Sequence, residues 1–118
     1  SSLEHTIASM LRSIKGRCKD KKLDFDLDVP FLMAVMAEQN VRCERTGYEL
    51  AKSNGNRNTR SGRFTPSIDR IDPNKGYTKD NIQIVCYHYN LAKNGWSDSD
   101  LLEMCREIIK VKDGVNDR

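Results

Sequence analysis

The chain has 118 residues, enough for one domain with a modest core, and no apolar run long enough to span a bilayer. Hydrophobic residues make up 37% and charged residues 31%, with a formal net charge of +3 and a sequence pI near 8.7. That excess favours an anionic partner only weakly, so its placement matters more than its size. Arg12 to Lys22 carries six basic side chains and one acid, and Lys52 to Ile68 carries four basic residues and none. The four cysteines, Cys18, Cys43, Cys86 and Cys105, form no close pair, which argues against a structural zinc site. No secretory signal is visible, and reduced cysteines in a cytoplasmic chain are the expectation.

In chain order, residues 3–15 are predicted as a helix, with Leu3, Ile7, Met10, Leu11 and Ile14 on one stripe and Gly16 as its end. A second helix is expected to start at Asp28, a good N-cap, with Pro30 tolerated in its first turn, and to end near Gln39 or Asn40. These helices form an N-terminal part, residues 1–40. From Val41 to Phe64 short extended pieces and turns are expected, with a solvated loop from Lys52 to Gly62. Thr65 to Ile71 reads as a strand. Asp72 to Asn81 is dense in turn formers, and Ile82 to Cys86 reads as a second strand. A short helix should follow through Lys93. A last helix, residues 97–111, has Ser97 as N-cap, Asp100 three residues on, and Leu101, Met104, Cys105 and Ile108 as its stripe. Trp96 is expected to anchor it. The class is therefore α+β: a two-stranded hairpin and helix spanning 41–95, flanked by N- and C-terminal helices.

The informative stretch is PSIDRIDPNKGYTKDNIQIVCYHYNLAK, residues 66–93. Asp69 falls on the first strand and Asn90 on the following helix, so a compact hairpin can bring them together. A carboxylate and an amide oxygen suit a hard divalent cation such as magnesium. One or two protein ligands leave positions for water and a phosphate, as metal-assisted phosphodiester cleavage requires.

With Cys43, Thr46 and Gly47 upstream, then Ser67 to Asp72, Lys75 to Thr78, Asp80 and Asn81, Val85 and Cys86, Asn90 and Lys93, the chain resembles HNH endonucleases of the ββα-metal type found in phages and mobile elements. The resemblance covers roughly residues 41–95. It implies a metal-dependent DNA endonuclease that uses Mg2+ or Mn2+, with Asp69 and Asn90 as metal ligands and Asn81 as the brace of the intervening loop. It also implies Lys93 as a basic residue near the phosphate. A chain of this size reading a long target would need a homodimer or a guiding protein partner.

One departure bears on mechanism. The residue after the metal-binding Asp is usually a histidine acting as general base, and here it is Arg70. Arginine stays protonated and is suited to hold a phosphate rather than to take a proton. Three routes remain open. Asp72 or His88 accepts the proton, or water on the ion supplies hydroxide directly, or the site keeps DNA binding without cleavage. Related nucleases place their base three residues after the Asp, the spacing of Asp72. Strand alternation instead puts Arg70 and Asp72 on the face opposite Asp69, and Asp72 has a plain reading as a turn cap. His88, two residues before Asn90, does not share its helix face. Arg57, Arg60, Arg63 and Arg70 are candidate phosphate contacts, which bind without reading sequence. Tyr48, Tyr77, Tyr87 and Tyr89 read as packing residues rather than base-stacking ones.

Overall fold

A computed structural model describes residues 2–51 and 58–114. Its elements in order are α1 (Ser2–Lys21), α2 (Val29–Glu38), a 3-10 turn (Ser61–Phe64), β1 (Pro66–Arg70), β2 (Ile82–Cys86), α3 (Tyr87–Lys93) and α4 (Asp98–Lys112). The class is α+β, with one antiparallel hairpin among helices. Arg57 lies outside the described residues.

Helix α1 runs past Gly16, which is helical, and ends after Lys21 where Lys22 takes a positive φ of 55°. The basic stretch from Arg12 to Lys21 is thus the second half of one helix, which extends six residues past the predicted end at residue 15. Its buried positions Ile7, Leu11, Ile14 and Cys18 alternate by four and three, one continuous stripe. Helix α2 starts where expected: the Asp28 carboxylate accepts the Phe31 amide at 2.8 Å, and Pro30 sits in the first turn. Leu32 and Met36 of α2 close onto the α1 stripe.

The hairpin register pairs Ser67 with Val85, Ile68 with Ile84 and Asp69 with Gln83. Because strand side chains alternate, each strand feeds both faces. Ile68, Ile82 and Ile84 join α1 and α2 in the main core. Ser67, Asp69, Gln83 and Val85 face the opposite way. The outer edge of β2 is covered: Gln39 donates to the Ile84 carbonyl at 2.9 Å and accepts the Ile84 amide at 3.3 Å, and the Glu44 amide donates to the same carbonyl at 3.1 Å.

The loop between the strands is tied to α1's exit. The Tyr77 amide donates to the Asp24 carbonyl at 2.9 Å and the Lys79 amide to the Asp26 carboxylate at 2.7 Å. Gly76 is needed for that approach, since a Cβ there would lie 2.3 Å from the Asp24 carbonyl oxygen.

Helix α4 carries the expected capping box between Ser97 and Asp100. Its apolar stripe does not go inward as predicted. Only Leu101 is buried, while Leu102, Met104, Ile108 and Ile109 are exposed. The helix leaves the body after one turn against α3, so amphipathic spacing had no surface to meet. Trp96 is 67% exposed and does not anchor it. No helix among the described residues is long and apolar enough to cross a membrane.

Candidate functional site

The face of the hairpin away from the main core holds a buried ionic network. Lys93, at the end of α3, has no exposed surface. Its Nζ donates to Asp69 Oδ2 at 2.7 Å and to the carbonyls of Arg70 at 2.7 Å and Ile71 at 3.4 Å. It also pairs with Asp98 Oδ1 at 3.5 Å. Gln83, opposite Asp69 in the register, donates to Asp69 Oδ2 at 2.8 Å and to both Asp98 oxygens at 3.2 Å. Arg45 closes the ring from the loop after α2, donating to Gln83 Oε1 at 2.8 Å and pairing with Asp98 Oδ2 at 3.2 Å. The Tyr89 hydroxyl donates to Asp98. Burial and then that bond to Asp98 push the Tyr89 phenol well above its ordinary range. Two carboxylates thus face two permanent cations, the arrangement a buried charge needs.

Asp69 is only 5% exposed, and both of its hydrogen bonds fall on Oδ2. Oδ1 takes no hydrogen bond from a described residue. Two residues back on the same strand face, Ser67 accepts a 2.6 Å bond from Asn90 Nδ2 on α3, which leaves Asn90 Oδ1 without a donor too. One carboxylate oxygen and one amide oxygen, from residues on or packed against this strand face, therefore take no hydrogen bond from a described residue. In kind they fit a hard cation, which takes few protein oxygens and keeps its waters. In charge the fit is thin, because Lys93 already neutralises the carboxylate. Among the described residues, no three His, Cys, Asp or Glu side chains gather as a metal-binding group.

Ser67 and Asn90 open onto a cleft of about 330 Å3 beside β1. One wall is the α1 face Met10, Ser13, Ile14 and Arg17, and the other is the α3 face Tyr87, Asn90, Leu91 and Asn94. Both sets step by three and four, as residues on one side of a helix do. Tyr77 and Ile68 complete the lining, which has no acidic residue among the described ones. Arg70 stands over the Tyr77 ring at 5.1 Å and donates to the Lys75 carbonyl at 3.0 Å, so its charge is fixed at the Tyr77 side. Burial pushes the Cys18 thiol up, while Arg17 and Arg70 both pull it the other way, placing both guanidinium charges near it.

The remaining predicted residues are dispersed. Asn81 spans its loop, accepting the Asp72 amide at 2.9 Å and donating to the carbonyls of Asp72 at 3.1 Å and Gly76 at 2.8 Å. The Asp72 carboxylate caps the turn by accepting the Asn74 amide at 2.9 Å. His88 is exposed on another side of α3 from Asn90 and lines a separate cavity with Cys86, Tyr89 and Leu101. Arg60 is exposed, and Arg63 packs its guanidinium over Phe64 at 4.5 Å. Lys93 cannot contact a phosphate as expected, because a fully buried ammonium bonded to Asp69 has no surface to offer. Its correct reading is the counter-ion of the network.

Cys43 and Cys86 pack together beneath the loop that carries Arg45. Burial would raise the Cys43 thiol, but the Thr46 hydroxyl and the amides of Cys86, Thr46 and Arg45 outweigh it and bring it below the ordinary thiol range. Burial wins at Cys86, whose thiol is raised. These bonds hold the loop where Arg45 reaches Gln83.

Gln83, Asp98 and Arg45 carry no role in the sequence reading, and Tyr89, read there as a packing residue, also bonds Asp98 through its hydroxyl. Gln83 alone carried a signal, as the one polar residue of the strand IQIVC opposite Asp69. No protein-family model, curated protein or solved structure matches this chain.

Proposed function

We propose that this chain is a metal-dependent DNA endonuclease of the HNH type, with Asp69 and Asn90 as the ligands of a Mg2+ or Mn2+ ion. The supporting observation is a pair of oxygens on one face of the hairpin, Asp69 Oδ1 and Asn90 Oδ1, that take no hydrogen bond from a described residue, with Asn90 lining a cleft that has no acid among the described residues. When bound, such an ion supplies charge stabilisation to the scissile phosphate and acidifies water.

The protein's own groups have distinct parts in this reading. Lys93 and Gln83 hold Asp69 through its other oxygen, which fixes the carboxylate as outer partners of a ligand do. Ser67 orients the Asn90 amide. Arg70, fixed against Tyr77, offers positive charge and no proton acceptor. Asp72 is committed to its turn and His88 faces another cavity, so neither supports a general-base role.

Among the described residues no histidine or carboxylate lines the cleft with Asn90, which favours a second reading, a DNA-binding module on the same fold that does not cleave. Supercoiled plasmid incubated with the protein and Mg2+ or Mn2+ separates the two. The endonuclease reading expects nicked circles that need the metal. Bound but intact plasmid in every divalent ion would leave only the binding module.

A further inference from the structure

We infer that the cleft between α1 and α3 is a phosphate seat, in which Arg17 and Asn94 grip a DNA backbone phosphate next to the one at Asn90. The inference deepens the nuclease reading and rests on its claim that the Ser67–Asn90 side faces DNA.

Arg17 lies outside the stretch that resembles a nuclease, on a helix the resemblance does not cover. The structure brings it to the same cleft as Asn90 because Met10, Ser13, Ile14 and Arg17 share one face of α1. Across the cleft, Asn94 sits one helical repeat after Tyr87 and one turn after Asn90. Asn94 ends α3 with a positive φ of 50°.

The chemistry of the lining selects the ligand. Among the described residues it presents one guanidinium, two side-chain amides, two serine hydroxyls and two tyrosines, and no carboxylate to repel an anion. Arg17 has no ion pair among the described residues, so its fork is free for phosphate oxygens. The other basic residues of this half of α1 have different surroundings. Lys15 and Lys19 are exposed and lie on the side away from the cleft, about 160° from Arg17 by helical geometry. They carry the same charge without the same neighbours, which makes them matched controls.

The test measures binding of a short DNA duplex by fluorescence anisotropy over a salt series, without divalent metal. Arg17→Ala is expected to weaken binding roughly ten-fold at low salt and to reduce the slope of log K against log salt by about one. Lys15→Ala and Lys19→Ala should change affinity by less than about two-fold beyond general charge loss. Arg17 is exposed, so its replacement should not unfold the chain, and a melting curve checks that. As a second measurement, inorganic phosphate titrated into labelled protein should shift the side-chain amide resonances of Asn90 and Asn94.

Equal losses in Arg17→Ala, Lys15→Ala and Lys19→Ala would mean diffuse attraction and overturn the seat. So would phosphate shifts that spare both asparagines. The two claims fail separately. If plasmid is never nicked but Arg17→Ala alone weakens binding, the seat stands without the nuclease. If nicking depends on Asn90 while Arg17→Ala binds like the parent, the nuclease stands without the seat.

Discussion

At the scale of single residues, Lys93 decides how the Asp69 carboxylate can be used. A buried ammonium 2.7 Å from Oδ2 holds that carboxylate in place and takes part of its charge. Removing the cation leaves the buried Asp69 and the partly buried Asp98 with too little positive charge. Lys93→Met should therefore cost about 3–5 kcal/mol in chemical denaturation. The double variant with Asp69→Asn should recover part of that loss, because the two changes share one interaction. An additive double variant would mean the pair is not coupled. Tyr89 reports on the same network by pH. Its folded-state pKa is raised above the ordinary 10.0, so the folded chain holds that proton longer than the unfolded one. The stability it confers is whole below pH 10 and declines as pH rises further. Tyr89→Phe should flatten that alkaline decline relative to the parent, read from denaturation midpoints across the range. Little of this was visible in the sequence. Asp69 was legible from its motif, but its partners Gln83 and Lys93 are 14 and 24 positions away and reach it only through the strand register and the end of α3.

At the scale of elements, spacing was a good guide wherever an element meets the core on a defined side. β2, α3 and the start of α2 follow from alternation, caps and turn residues in the chain. The errors have physical causes. Gly16 reads as a stop in the sequence, but a glycine inside a helix costs only about 1 kcal/mol, and burial of Cys18 two residues later outweighs it. The α4 stripe was taken as inward, yet period alone cannot say whether a partner surface exists. The loop 72–81 owes its shape to Asn81 and its seat to Gly76. Gly76→Ala should cost about 1–3 kcal/mol, since the added methyl would meet the Asp24 backbone, which cannot rotate away. A loss within error would show that the loop and the 24–26 segment can separate freely. Ser97→Ala, which removes the cap of α4, should cost about 1 kcal/mol of stability, or visibly reduce helical circular dichroism if α4 frays by itself.

At the scale of the whole molecule, the hairpin divides two tasks. Its isoleucine face closes the core with α1 and α2, and its polar face carries the charged network and Asn90. Asn90 is the residue on which the account turns. Asp69 is a poor test position, because changing it also disturbs Lys93 and Gln83. Asn90 has one side-chain bond, to Ser67, and lines the cleft. The most direct measurement is therefore the nicking rate of Asn90→Ala on supercoiled plasmid with Mg2+ or Mn2+, beside the parent protein. The account predicts a fall of roughly 100-fold or more, with melting temperature changed by only a few degrees. Nicking by Asn90→Ala at the parent's rate would contradict it.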